Sequence, residues 1–359
     1  MREVELSQED SFRLNILLAS VDAIRIDDSA MVVYGLGAKG EAKIELHPTC
    51  RDVPYLRQVR AVVRRKVYGD EVGAAGALQT VLRLGYLDKT LLPNLLKLGE
   101  PEAVQKVATY PEMNESLARL IWWAMPDAGV ARSLMRQAEI ARGPLGRELV
   151  DFLLDYLPFE TESATKLDTI RLLLYSGHLD EGMESKIWLR GAHQPELRVP
   201  FLEICPERVP VGHAVPILSS EVNDILGLLV QQGNHQAGVL LEATSPRGRV
   251  IAATCERILQ EPASQLLFAH TCQALGGYYT GLLEGDQNMS GESDQIAAIG
   301  APGLLELLNA IRLLAQTSDA ILNPILSRST ATGAFLRDKL QPVLMPVMEA
   351  LRCIQGLKS

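Results

Sequence analysis

LLKLGEPEAVQKVATYPEMNESLARLIWWAMPDAGVARSLM, residues 95–135, is the stretch that decides the fold class. Apolar residues recur in it at helical spacing, and Pro101, Asn114 and Asp127 mark three helix starts. Proline suits the first turn of a helix, and Asn or Asp side chains accept backbone N–H groups that have no partner there. The stretch therefore predicts a succession of short amphipathic helices, and it contains no catalytic signature.

The same pattern continues toward the C-terminus. Helices are predicted over 144–156, 163–175 and 180–190, and their spacing fits either an irregular HEAT-like solenoid or an irregular bundle. Prolines crowd residues 201–216 and indicate a junction, after which helical patterning resumes. The polar and acidic segment 284–295 is expected to be a mobile loop, because it has little apolar surface to bury.

The first 70 residues follow another pattern. A capping box at residues 7–10 starts a helix, and its apolar stripe is formed by Phe12, Leu14, Ile16, Leu17 and Leu18. Residues 23–46 contain three short segments with period-two character, which predicts a three-stranded antiparallel meander, and helical spacing returns over 54–67. The chain is thus predicted to be mostly α. It has an α+β unit over 1–70, a repeat-like helical domain over 77–208 and a C-terminal helical domain over 214–359.

Residues 35–40 spell G-x-G-x-x-G after a predicted strand, a pattern shared with dinucleotide-binding loops. Such a loop needs a following helix whose N-terminus faces the pyrophosphate. Residues 41–46 alternate as a strand instead, so the sequence predicts a hairpin turn.

Composition limits the classes of function. The net charge of −9 argues against general binding of nucleic acid or anionic membranes, although a local basic patch is still compatible with it. The five cysteines are odd in number, widely spaced and without a C-x-x-C pair, so no disulfide framework is indicated. The first 20 residues lack the features of a signal peptide, and the longest uncharged span, 262–283, is diluted by polar residues. A cytoplasmic protein without membrane association is expected.

Two groups of residues are candidates for binding partners. The first is a basic helix face that runs against the charge of the chain, and it consists of Arg57, Arg60, Arg64, Arg65 and Lys66. Arginine side chains neutralise phosphates or pair with acidic protein surfaces, but a solvated face paired with local carboxylates has the same pattern. The second is the pair Trp122 and Trp123, whose rings must point about 100° apart on a helix. One ring is therefore expected in the core, and the other at a helix junction or in a protein interface.

No cofactor or metal is predicted. His270 and Cys272 are separated by one residue on a helix and face different directions, so with Cys255 they are interpreted as core residues. The other histidines have no catalytic partner at a diagnostic spacing.

Several short stretches resemble a known family: LGEPEAV at 98–104, WWA at 122–124, YLPFE at 156–160, and an ordered series of matches before residue 58. Together they are similar to the DsrS family, cytoplasmic proteins encoded with dissimilatory sulfite reductase genes of sulfur-oxidising bacteria. The resemblance covers roughly the first half of the chain and fades beyond residue 210. It implies an accessory or regulatory role in sulfur oxidation and assigns no residue roles.

The expected function is therefore that of a non-enzymatic accessory protein that binds a protein of the sulfur-oxidation system, or RNA, on its helical surface. The alternative is an enzyme whose site is assembled from dispersed residues in a pocket between helices. A deep cavity with converging ionisable groups would favour the enzyme, and a shallow groove would favour the binding protein.

Overall fold

The computed structural model describes residues 6–69, 92–211, 217–284, 289–317 and 334–356. The chain divides into two compact units, the first formed by Met1–Phe159 with Tyr175–His178 and the second by Glu160–Leu174 with Leu179–Ser359. The predicted boundary between 70 and 77 falls outside the described residues, as do residues 212 and 213 of the one between 208 and 214. Both boundaries stay predictions.

The N-terminal part of the first unit is the predicted helix, meander and helix. It contains α1 (Gln8–Ser20), β1 (Ala23–Asp27), β2 (Val32–Gly37), β3 (Gly40–Glu45) and α2 (Asp52–Tyr68). The sheet order is β1-β2-β3, with both pairs antiparallel. Gly37 and Gly40 close the turn between β2 and β3, and Gly40 has a φ of 97°, which glycine adopts without strain. The G-x-G-x-x-G pattern is thus confirmed as a hairpin turn.

A single apolar cluster joins α1, the sheet and α2. It includes Leu14 and Leu17 from α1, Val33 from the sheet, and Val59 and Val63 from α2. The predicted stripe of α1 was partly wrong, because Phe12 and Ile16 are 67% and 54% exposed. Only one side of this helix packs on the sheet, and these two side chains lie on the other side.

A second apolar attachment joins the sheet to the helical body of the first unit. Gly99 has a φ of 64°, and a Cβ atom there would approach Ile24 of β1 to 2.9 Å. A side chain at this position would therefore be strained and would collide with the sheet. The chain then enters the helices α3 (Leu92–Leu96), α4 (Pro101–Ala108), α5 (Glu115–Ala124), α6 (Ala128–Met135), α7 (Ala138–Arg142) and α8 (Pro144–Tyr156).

The predicted helix starts in this body are confirmed. The side chains of Asn114 and Asp127 accept hydrogen bonds from the backbone N–H groups of Leu117 and Val130, both at 2.8 Å, and Pro101 begins α4. The helices vary from 5 to 13 residues in length, so this body is irregular rather than a strict repeat.

The second unit is helical throughout its described residues. Its helices are α9 (Ser163–Ser176, whose last two residues cluster with the first unit), α10 (Glu181–Arg190), α11 (Val199–Ile204), α12 (Ser220–Gln231), α13 (His235–Thr244), α14 (Pro246–Gln260), α15 (Gln265–Leu283), α16 (Met289–Ala298), α17 (Leu304–Ala315) and α18 (Ala334–Gln355). Leu167, Val199, Ile258 and Leu267 form an apolar cluster between α9, α11, α14 and α15. Among the described helices, none combines the length and the apolar character that a membrane span requires.

The expected mobile loop at 284–295 is wrong for the part that is described, because residues 289–298 form α16. The polar side chains of this segment have partners at the N-terminus of α13. A carboxylate oxygen of Glu292 accepts from the backbone N–H of Gln236 at 3.0 Å, and the side chain of Asn234 donates to Gln295 at 2.8 Å. An acidic segment is ordered here because it satisfies the positive end of another helix.

Candidate functional site

The two adjacent tryptophans of α5 point in different directions, as their helical spacing predicts. Trp122 is 8% exposed, and its Nε1–H donates to Glu148 of α8 at 2.7 Å. Trp123 is partly exposed and lies against the sheet, where its Nε1–H donates to Glu41 of β3 at 2.8 Å. One ring is therefore in the core, and the other holds α5 to the N-terminal sheet.

Trp122 begins a series of aromatic rings that leads out of the core. Its ring meets the edge of Phe152 at a centroid distance of 4.9 Å and an interplanar angle of 79°. Phe152 and Tyr156 are nearly parallel at 6.1 Å, and Tyr156 contacts Phe159 at 6.0 Å. We call these four side chains the aromatic row. The distances lie within the range in which aromatic pairs attract one another.

The aromatic row becomes progressively more exposed along its length. Trp122 is 8% exposed, Tyr156 41% and Phe159 72%. Large apolar side chains that extend from a packed base into solvent are typical of contact sites for other molecules.

The geometry of α8 produces this arrangement. Phe152 and Tyr156 are four residues apart, and they continue the helical stripe that begins with the buried side chains Leu145, Leu149 and Leu153. The 3-10 turn at Leu157–Phe159 then continues the exposed side. The aromatic row is therefore the C-terminal continuation of the stripe by which α8 packs in the core.

Carboxylates lie beside the aromatic row. Asp151 and Asp155 directly precede Phe152 and Tyr156 on α8, and both side chains are exposed. Asp151 approaches Arg147 at 3.5 Å in an exposed pair, which contributes little to stability. Asp155 makes no ion pair within the described part of the chain. The part of α8 that reaches solvent thus carries two aromatic rings, Phe152 and Tyr156, and two carboxylates, Asp151 and Asp155.

The basic face of α2 is partly occupied by the chain itself. Arg60 binds Asp28 of the β1–β2 turn through two hydrogen bonds of 2.7 and 2.8 Å. Arg64 binds Glu100 at 2.5 Å, and the Glu100 side chain is only 5% exposed. These pairs attach α2 to the sheet and to the start of α4.

The remaining basic candidates, Arg57, Arg65 and Lys66, are exposed on α2. Their predicted role in binding a partner or nucleic acid stays a prediction, as does the interface role predicted for the two tryptophans.

The first unit has an open pocket of 740 Å³ between the loop after α4 and the loop after α6. Its ionisable lining residues are Glu112, Arg136 and Glu139, and all three are exposed. The hydroxyl of Ser133, which also lines the pocket, donates to the backbone oxygen of Gly129 at 2.9 Å. In this pocket the Ser133 hydroxyl is therefore bonded to the backbone and not to a general base.

The second unit contains an ionic cluster that the sequence did not indicate. Arg171 of α9 forms two hydrogen bonds with Glu203 of α11, at 2.7 and 2.8 Å. His270 of α15 places Nδ1 at 3.0 Å from Glu203 and 2.9 Å from Arg171. The three residues come from distant parts of the sequence and connect three helices. Because the three side chains bond to one another across three helices, the cluster is interpreted as a structural one.

The second unit contains three buried free cysteines, Cys205, Cys255 and Cys272, and one partly buried free cysteine, Cys353. Burial raises the pKa of Cys205 to about 12 and also raises the pKa of Cys255, so neither forms a thiolate at neutral pH. Within the described residues, no group of three or more histidine, cysteine, aspartate or glutamate side chains is placed to hold a metal ion.

Phe152, Tyr156, Phe159 and the two aspartates of α8 were not identified as site residues from the sequence. The sequence does contain part of the signal for this site, since Tyr156 and Phe159 each have an acidic residue beside them in the YLPFE stretch. Their continuity with Trp122 depends on contacts between α5 and α8, which no local pattern reveals. Comparisons with models of protein families, with curated proteins and with solved structures found no match.

Proposed function

We propose that this chain is a non-enzymatic accessory or regulatory protein that binds a partner protein through the aromatic row. The observation that carries the proposal is the exposure of Phe159 and Tyr156 at the end of a series of rings that begins in the core. Exposed aromatic side chains supply large contact areas and are frequent among the residues that contribute most to binding.

The packed base of the aromatic row supports this proposal. The contact with Trp122, and the hydrogen bond from Trp122 to Glu148, restrict the positions of the rings that follow. A side chain that is already ordered loses less entropy on binding. The aromatic row thus has both the surface and the rigidity that a protein interface uses.

The resemblance to the DsrS family supplies the biological context of the proposal, which is cytoplasmic sulfur oxidation. Within that context the partner is a protein of the sulfur-oxidation system. The resemblance includes the YLPFE stretch at 156–160, which contains the exposed end of the aromatic row.

RNA binding by α2 is a second candidate, because Arg57 and Lys66 are exposed on it in a chain whose net charge is −9. Arg60 and Arg64 already have carboxylate partners, so fewer cations are available to phosphates than the sequence suggested. A catalytic function has weaker support, because the ionisable residues of the large pocket are exposed.

The proposal is tested by affinity capture with the full chain from sulfur-oxidising cells grown on reduced sulfur. Three baits are compared: wild type, the double variant Tyr156→Ser with Phe159→Ser, and Phe12→Ser. Phe12 is a matched control because it is also an exposed phenyl ring, at 67%, but lies on α1. Proteins recovered by wild type and Phe12→Ser, and lost with the double variant, are the expected result.

Equal recovery of the same proteins by all three baits would overturn the proposal. Thermal unfolding of each bait accompanies the experiment. Phe159 is 72% exposed and Tyr156 41%, and neither belongs to the buried core, so the double variant is expected to remain folded.

A further inference from the structure

The aromatic row is bordered by negative charge, and this determines which partner suits it. Asp155 is exposed on α8 three residues after Phe152, which makes the two side chains neighbours on the helix, and Asp151 is exposed four residues before Asp155. Glu148 lies on the same helix and accepts the hydrogen bond of Trp122. Arg147, at 3.5 Å from Asp151, is the cation that the described structure places against these carboxylates.

The chain itself shows what such a combination of rings and carboxylates holds. In the N-terminal part, the Arg25 guanidinium lies 4.9 Å from the ring centre of Tyr34 and 5.2 Å from that of Trp123. Glu41 binds the same tryptophan at 2.8 Å. Arg25 also donates to the backbone oxygen of Trp123 at 3.4 Å. Two rings thus contact one arginine, and one of these rings donates a hydrogen bond to a carboxylate.

A second arginine repeats part of this arrangement in the other unit. Arg198 lies 4.7 Å from the ring centre of Trp188 and donates through Nε to its backbone oxygen at 2.9 Å. In both places the planar guanidinium lies over an aromatic face. This position is favourable because the quadrupole of the ring attracts a cation. Tyr156 and Phe159 present comparable faces that remain exposed.

We infer that the aromatic row, with Asp151 and Asp155, binds an arginine-bearing segment of the partner protein. This inference rests on the proposed function and adds the chemistry of the partner. The guanidinium stacks on Tyr156 or Phe159 while its N–H groups reach the carboxylates of α8. Arginine suits this surface better than lysine, because its planar group stacks and donates hydrogen bonds at the same time.

Charge complementarity selects this partner over others. The phosphates of RNA and the headgroups of anionic lipids are repelled by the carboxylates of α8, and the net charge of −9 adds to that repulsion over a longer range. A purely apolar partner segment would leave Asp151 and Asp155 next to a desolvated surface without compensation.

The test uses the full chain and a fluorescent peptide of alternating arginine and glycine, with binding followed by fluorescence anisotropy. A lysine–glycine peptide and a labelled single-stranded RNA serve as the other probes. The arginine peptide is expected to bind about fivefold more tightly than the lysine peptide, because a guanidinium stacks on a ring and donates to a carboxylate at the same time, whereas an ammonium does not. The affinity should fall as salt is added.

Two double variants locate the site. Asp151→Asn with Asp155→Asn, and Tyr156→Ser with Phe159→Ser, are each expected to weaken binding of the arginine peptide about fivefold. The matched controls are Glu9→Gln with Glu45→Gln, which removes the same charge from exposed side chains of α1 and β3, and Phe12→Ser. Both controls are expected to leave the affinity unchanged.

The outcomes separate this inference from the proposed function. Equal binding of the arginine and lysine peptides, or arginine-peptide binding that neither double variant weakens, would overturn the inference. The same holds if only the RNA probe binds. If partner capture depends on Tyr156 and Phe159 but the arginine peptide does not bind, the aromatic row binds its partner by apolar contact, and only the inference fails.

Discussion

The basic face of α2 and the aromatic row of α8 belong to the same compact unit, yet their side chains are used differently. On α2, Arg60 and Arg64 bind Asp28 and Glu100 of the same unit, and they fix the helix to its neighbours. On α8, Tyr156 and Phe159 extend outward from a packed base. The comparison teaches that basic residues at helical spacing do not by themselves identify a binding face, because carboxylates of the same chain can form ion pairs with them.

The largest expected effect concerns the ion pair between Arg64 and Glu100. Arg64→Glu would place two carboxylates together at a site where Glu100 is 5% exposed, and a loss of about 3 kcal/mol in the free energy of unfolding is expected. Urea unfolding of the full chain measures it. Arg57→Glu on the same helix is the control, and it should change the stability by less than about 0.5 kcal/mol because Arg57 is exposed. Equal effects of the two substitutions would show that the ion pair with Glu100 does not stabilise the fold. The contrast drawn between α2 and α8 would then be wrong.

The attachment at the other end of α2 depends on pH. Asp10 is fully buried and accepts from the backbone N–H of His47 at 2.8 Å and from the hydroxyl of Tyr55. Burial alone would raise the pKa of this carboxyl group, but the hydrogen bonds from Tyr55 and His47 outweigh it and hold the pKa below 3.8. The unfolded state therefore binds more protons in this range. The stabilisation is present above pH 3.8 and is lost as the pH falls through the folded pKa.

Asp10→Asn tests that contribution. At neutral pH the variant is expected to lose about 2 kcal/mol, the usual size for hydrogen bonds to a charged group. The difference in unfolding free energy between wild type and variant should shrink as the pH falls below 3.8. A difference that stays constant between neutral pH and acid would contradict the role assigned to the ionised carboxylate.

The smallest of the three effects is expected in the base of the aromatic row. Trp122→Phe keeps an aromatic ring beside Phe152 but removes the hydrogen bond to Glu148, so a loss of about 1 kcal/mol in unfolding free energy is expected. Trp123→Phe is the matched control on the neighbouring position and should cost less, because its side chain is partly exposed. A larger loss for Trp123→Phe would mean that the contact of Trp123 with the sheet contributes more to stability than the base of the aromatic row does.

Local signals predicted much of the fold correctly. In residues 7–69 the apolar residues recur at helical spacing in the two helices and at every second position in the strands. The helix, meander and helix could therefore be predicted from the sequence. The helix starts at Asn114 and Asp127 use side chains that bond the backbone three residues later, so they too are determined locally.

The acidic segment was misread for a physical reason. Composition correctly described 284–295 as poor in apolar surface, but it does not show that Glu292 and Gln295 meet the start of α13, more than 50 residues earlier in the chain. A polar segment can be ordered by hydrogen bonds whose other half lies far away in sequence.

The sequence by itself determined the mostly helical class, the N-terminal meander and the individual helix starts, because each depends on residues within a few positions of one another. Only the tertiary structure decided which arginines of α2 form ion pairs with Asp28 and Glu100. It also decided which aromatic ring contacts Trp122. These pairings join residues between 26 and 36 positions apart. Their geometry follows from how the helices pack, and no local period encodes it.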